Sequence, residues 1–137
     1  MRTSGIPFGA VDRDEASAPF FDAAATEQLV VRSCPDGHLS PPEAQSCTTC
    51  RSSTLDWAPV SGRATLISWI VMPRRVTPED PEPSSIVAGT VELEEGPWFT
   101  TGLLVDPVRL RAGATLDIMF VRPDGSEAFP VFELVEP

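Results

Sequence analysis

The stretch Cys34-Pro35-Asp36-Gly37-His38-Leu39-Ser40-Pro41-Pro42, which runs on to Cys47-Thr48-Thr49-Cys50, decides how this chain is read. Its second half is a C-x-x-C knuckle, whose tight turn brings two thiolates to the same side, where they share one tetrahedral zinc. In the first half a second cysteine is expected at position 37, but Gly37 stands there. His38 comes next, and an imidazole reaches further than a thiol, so a ligand shifted by one position is physically easy. The expected ligands are Cys34, His38, Cys47 and Cys50, a set of three thiolates and one imidazole that structural zinc accepts. Two other readings stay open here: Asp36 as fourth ligand, and a degenerate knuckle whose cysteines are small buried residues. Four protein ligands leave no position for water or substrate, so such a site is closed and structural. Its metal contributes on the order of 10 kcal/mol of folding free energy, enough to hold a module with almost no core. Iron suits the same sulfur-rich tetrahedral set.

Composition supports a metal over disulfides. The 137 residues include 3 cysteines, so pairing leaves one over. The N-terminus shows no basic region followed by a long apolar stretch, and a cytoplasmic location is expected. No apolar run approaches the roughly 20 residues of a bilayer span, so no membrane partner is expected. Every basic residue is arginine, and the net charge is −10 with a pI near 4.4. That balance repels a polyanion and counts against non-specific nucleic-acid binding.

Outward from the cysteines, the chain divides into three parts. Residues 1–16 mix Gly, Pro, Ser and scattered charges without periodicity and read as a flexible arm, or one ordered only against a partner. Residues 17–60 form an N-terminal helix and zinc ribbon. Ser17 is the expected cap and Pro19 suits the first turn; strands are expected at 29–32 and 56–60. Residues 61–137 carry β-branched and aromatic runs at 64–72, 86–93, 98–105, 115–121 and 129–135, separated by turn chemistry. Asp106-Pro107 opens a single helical turn between the third and fourth of these. Five strands with that turn are the layout of an OB-fold barrel, so the fold class is mainly β: helix, rubredoxin-like zinc ribbon, five-stranded OB-fold. An open five-stranded sandwich gives a similar pattern. The proline-rich segment 73–85, with Arg74-Arg75, is a long exposed loop between the first two barrel strands.

Four further stretches carry a resemblance: Ala18-Pro19-Phe20-Phe21 ahead of Leu29-Val30-Val31-Arg32-Ser33-Cys34; Pro41-Pro42 before Cys47-Thr48-Thr49-Cys50; Val60-Ser61-Gly62-Arg63-Ala64-Thr65; and Val91-Glu92-Leu93-Glu94-Glu95-Gly96 followed by Asp106-Pro107. In their order and spacing the chain resembles the bacterial and archaeal zinc-ribbon/OB-fold proteins that partner thiolase-like and sterol-carrier-type thiolase enzymes. Accessory subunits of steroid side-chain aldolases are among them. The resemblance implies a non-catalytic subunit of a hetero-oligomer that shares an acyl-CoA substrate with its partner and serves carbon–carbon bond chemistry. Retro-aldol cleavage of a steroid or lipid side chain comes first, with thiolysis or acyl transfer as alternatives. A free-standing acyl-CoA-binding module is the competing reading, and a nucleic-acid-binding OB-fold a weaker one.

Catalysis by this chain alone is not expected. His38 is the only histidine, no Gly-rich phosphate loop is present, and the carboxylates read as a solvated acidic surface. For contact with ligand or partner the candidates are Arg74 and Arg75, which can clamp a CoA phosphate, meet acidic residues of a partner, or pair within their loop with Glu79, Asp80 and Glu82. Phe20 and Phe21 cannot both sit deep in one small core, so one is expected on the ribbon and the other partly exposed, or facing a partner. Of the tryptophans, Trp69 is expected in the core and Trp98, beside a turn, partly exposed; with Trp57 they are candidates for an apolar interface.

Overall fold

The structure, a computed structural model, describes residues 1–135 except Arg75, Asp80 and Pro83. It begins with a helix, α1 (Ala18–Ala25), followed by β1 (Leu29–Ser33), β2 (Leu39–Ser40) and β3 (Asp56–Val60), which form an antiparallel sheet in the order β2-β1-β3. Five strands then close into a barrel: β4 (Arg63–Pro73), β5 (Ser85–Leu93), β6 (Trp98–Leu103), β7 (Thr115–Val121) and β8 (Phe129–Leu134), in the order β4-β5-β6-β8-β7. Closure settles the choice between barrel and open sandwich. The expected helical turn is the 3-10 segment Pro107–Arg109, where the Asp106 carboxylate accepts from the Val108 N–H at 3.1 Å. No helix among the described residues is long and apolar enough to cross a membrane.

Alternation builds the barrel interior: Val87, Val91 and Leu93 of β5 face inward with Leu66, Leu103, Leu116 and Phe132. A bulge between Leu66 and Ser68 shifts the parity of β4, so that Trp69 and Val71 lie opposite Gly89 and Val87. Trp69, expected in the core, is half-buried at its edge because the β4–β5 hairpin overhangs the barrel there. Ala24, Leu29 and Val31 belong to the same buried cluster as the barrel residues, so helix, ribbon and barrel share one core. At the junction, Gly62 has φ +84° and a Cβ there would collide with Ile118, two independent reasons for glycine.

Two features of the N-terminal region differ from expectation. Ser17 does not cap α1; its side chain instead exchanges hydrogen bonds with Asp14, whose Oδ1 accepts from the Ser17 N–H at 2.8 Å and from its hydroxyl at 2.7 Å. Residues 1–16 lie along the barrel. Arg2 bridges to Val121 in parallel register, Phe8 covers Gly102, and Ile6, Phe8 and Val11 pack on Val121, Phe129 and Val131. Arg13 ties the segment down with bonds to Asp22 and Glu127, each at 2.7 Å.

Candidate metal centre

The first half of the cluster is shaped by a tight turn between β1 and β2. The Cys34 N–H bonds to the His38 carbonyl at 3.1 Å and the Gly37 N–H to the Cys34 carbonyl at 2.9 Å. This turn needs the positive φ of +84° that Gly37 adopts. Glycine at the position where a cysteine was expected therefore closes the hairpin and returns His38 toward Cys34, with Nδ1 at 3.4 Å from Sγ. The second half is a knuckle whose backbone points at sulfur: the N–H groups of Thr49 and Cys50 donate to Cys47 Sγ at 3.3 and 3.4 Å. Arg51, at φ +65°, completes it by donating to the Cys47 carbonyl. Buried Ser40 links the halves, its Oγ accepting from the Thr48 N–H at 3.1 Å.

Cys50 Sγ stands 3.7 Å from Cys34 Sγ, and the ligand atoms of Cys34, His38, Cys47 and Cys50 all lie within 4.8 Å of one another. Metal–sulfur bonds of about 2.3 Å make the sulfur–sulfur edge of a tetrahedron about 3.8 Å, so this donor set fits zinc or another tetrahedral thiophilic ion. Asp36 is exposed and is not in the group. The N–H of Cys50, aided by that of Thr49 against the effect of burial, brings the Cys47 thiol down to about 6. A Ser52 N–H lowers Cys50, but its bond to Cys47, burial and Cys34 outweigh that and hold the thiol above its ordinary range. Cys34 and Cys47 are buried and Cys50 is exposed, so one edge of the cluster faces solvent.

Beside the ribbon lies a cleft of about 430 Å³ that nothing in the sequence pattern marked. Phe20, Trp57, Phe99 and Phe129 wall it, each from a different element, and Arg32 lines it. The Arg32 guanidinium stacks 4.4 Å over Trp57 and donates to the Leu55 carbonyl at 2.9 Å. Its Nε is buried with no acceptor among the described residues. Phe20 fills the seam between ribbon and barrel, with ring centroids 6.4 Å from Trp57 and 6.2 Å from Phe99. Phe21 is the buried one of the pair and packs on the barrel residues Val121, Phe129 and Val131, while half-buried Phe20 is the one that meets the ribbon. Trp98 is 51% exposed, its indole N–H bonded to Glu92 at 3.0 Å. Arg74 is half-buried at the outer end of β4, far along the chain from the cysteines, and Arg75 lies outside the described residues.

Comparison with known proteins gives consistent likenesses. Residues 57–121 match the family model described as ChsH2, C-terminal OB-fold domain. Over 93% of this chain and 98% of the other, the structure is similar to a chain of the Ltp2-ChsH2(DUF35) aldolase, at 28% identity and a TM-score of 0.72. A DUF35-family protein of unknown function from Sulfolobus solfataricus shares the fold at 12% identity and a TM-score of 0.61, over 88% of this chain and 86% of its own. No curated protein matches significantly.

Proposed function

We propose that this chain, which resembles ChsH2/DUF35 proteins in its OB-fold barrel and in a Cys/His cluster at the zinc-ribbon position, is the non-catalytic subunit of an aldolase complex. The partner in this reading is a thiolase-like protein, and the reaction is retro-aldol cleavage of the side chain of a steroid or lipid acyl-CoA. One observation carries it: the likeness to a chain of the Ltp2-ChsH2(DUF35) aldolase extends over nearly the whole of both chains. The site chemistry agrees. Four protein donors leave no open coordination position, and the only histidine is among them. When bound, zinc supplies a fixed node that holds the two loops of the ribbon together. Cys34, His38, Cys47 and Cys50 hold it, while Arg74 and Arg75 serve as contacts for a CoA phosphate.

Co-expression with thiolase-like proteins encoded near this chain's gene tests the reading. A stable hetero-oligomer is expected, with cleavage of a steroid-type acyl-CoA that requires both chains. Full activity of either chain alone, or failure to associate with any such protein, overturns it. The aromatic cleft with its unpaired Arg32 Nε favours a second reading, acyl-CoA binding by the isolated chain. Calorimetry of this chain with an acyl-CoA separates the two: heat without partner supports the second, and none at millimolar ligand removes it.

A further inference from the structure

Arg32 carries its charge into the aromatic cleft without a counter-charge. It stands opposite Trp57 in the β1–β3 ladder, and its guanidinium lies over the indole at 4.4 Å. Arginine presents a fork of N–H donors, and among the described residues a single acceptor, the Leu55 carbonyl, takes one of them at 2.9 Å. Nε is buried without an acceptor. The chain has 20 acidic residues against 10 basic, yet no carboxylate among the described residues pairs with Arg32. A cation drawn out of water normally has a hydrogen-bonded counter-ion, because desolvation without one is costly. The remaining walls are apolar. Phe20 and Trp57, half-buried, and Phe99 and Phe129, buried, present rings from four elements. Val11 and Ala16 of the N-terminal segment add a further wall, which Arg13 fastens through Asp22 and Glu127. The cleft is thus largely preformed, and its volume of about 430 Å³ falls within the roughly 300–1,000 Å³ of small-molecule sites. The acidic groups that line it, Asp14 and Glu43, are both exposed; Asp14 is bonded to Ser17, and Glu43 sits on the ribbon loop.

We infer that this cleft binds a ring-bearing apolar monocarboxylate, with the carboxylate on Arg32 and the ring system among the aromatic walls. Rings pack on rings edge to face or offset, which suits walls contributed by Phe20, Trp57, Phe99 and Phe129. Charge selects the free acid over its thioester. A carboxylate supplies the counter-ion that Arg32 lacks and accepts charge-assisted hydrogen bonds, whereas a thioester carbonyl is neutral. A CoA thioester also brings its phosphates to a mouth that carries Asp14 and Glu43, in a chain of net charge −10. An organic cation is kept from the Trp57 face because Arg32 already covers it. The inference goes beyond the accessory-subunit reading and does not depend on it.

Calorimetry of the full chain with 2-naphthoate, 2-naphthamide and naphthoyl-CoA as probes tests it. The wild type is expected to bind 2-naphthoate about tenfold or more tightly than 2-naphthamide, which has the same rings and no charge. Arg32→Gln is expected to remove that preference. Ala44→Trp, on the ribbon loop that lines the cleft, is expected to fill the space and abolish binding of both. Thermal melts establish that each variant folds, and the comparison of acid with amide on the wild type stands without the variants. Equal affinity for acid and amide, no heat with 2-naphthoate at millimolar concentration, or an undiminished preference in Arg32→Gln overturns the inference. Tighter binding of naphthoyl-CoA than of 2-naphthoate assigns the cleft to a thioester and overturns it as well. None of these outcomes bears on association with a thiolase-like protein, so the accessory-subunit reading stands or falls by its own experiment.

Discussion

Gly37 and Gly62 show how single residues set the geometry of the ribbon and of its junction with the barrel. Both have φ +84°, but their surroundings differ. A Cβ at Gly37 meets no atom within 4 Å, so Gly37→Ala carries only the backbone penalty, about 1–2 kcal/mol. A Cβ at Gly62 also collides with Ile118, and Gly62→Ala is expected to cost more, about 2–4 kcal/mol. Denaturant melts of the two variants, which should order them Gly37→Ala above Gly62→Ala in stability, check this. At the cluster, Cys47→Ser is expected to abolish metal retention, read as the metal-to-chain ratio by mass spectrometry. His38→Cys keeps a four-ligand set and is expected to retain zinc. Equal zinc content in wild type and Cys47→Ser would show that the metal sits elsewhere. The ligand types and their spacing were legible in the residues, because a knuckle is local chemistry. The reason for Gly37 was not, since a φ value belongs to the closed hairpin.

Elements depend on contacts that join distant parts of the chain. The junction after β3 is clamped by the turn between β5 and β6: Glu94 accepts from Arg63 Nε at 2.8 Å and from Ser61 Oγ at 3.1 Å, and Glu95 accepts from the Ser61 N–H at 2.8 Å. Arg63, then Ser61, holds the Glu94 carboxyl below its ordinary 4.5. A depressed carboxyl stabilises the fold fully above its unfolded value, and that contribution is lost as pH falls through the lower folded value. Arg63→Gln is therefore expected to lower the melting temperature slightly at neutral pH, by little because the pair is exposed, and to leave it unchanged at low pH, so that the acid limb below about pH 4.5 is flatter. The N-terminal segment makes a larger contribution. Phe8→Ala uncovers Gly102 and Phe129 and is expected to cost about 1–3 kcal/mol, measured by chemical denaturation. Strand positions were readable from alternation and turn residues, and the 3-10 turn from Asp106-Pro107. The docking of the segment was not, because Ile6, Phe8 and Val11 follow no period and are placed by the surface they cover.

Across the whole molecule, ribbon and barrel are joined through one core, since Leu29 and Val31 are buried with Leu66, Val91 and Phe132. Chelation is therefore expected to lower the melting temperature of the entire chain in a single transition, where separate modules would melt in two steps; calorimetry with and without a strong chelator distinguishes these. What the sequence determined by itself was everything local in origin: strand and turn positions, the knuckle with its histidine, and the acidic charge. Periodicity, ligand spacing and charge act over a few residues and need no knowledge of what lies across the fold. What only the tertiary structure decided was which surfaces meet: Phe21 on the barrel, the N-terminal segment over β7 and β8, the cleft between Phe20 and Trp57, and the bare outer face of β4 and β5. Those depend on closure of the barrel and on the bulge after Leu66, which reverses the faces of β4 and turns Ile70 and Met72 outward.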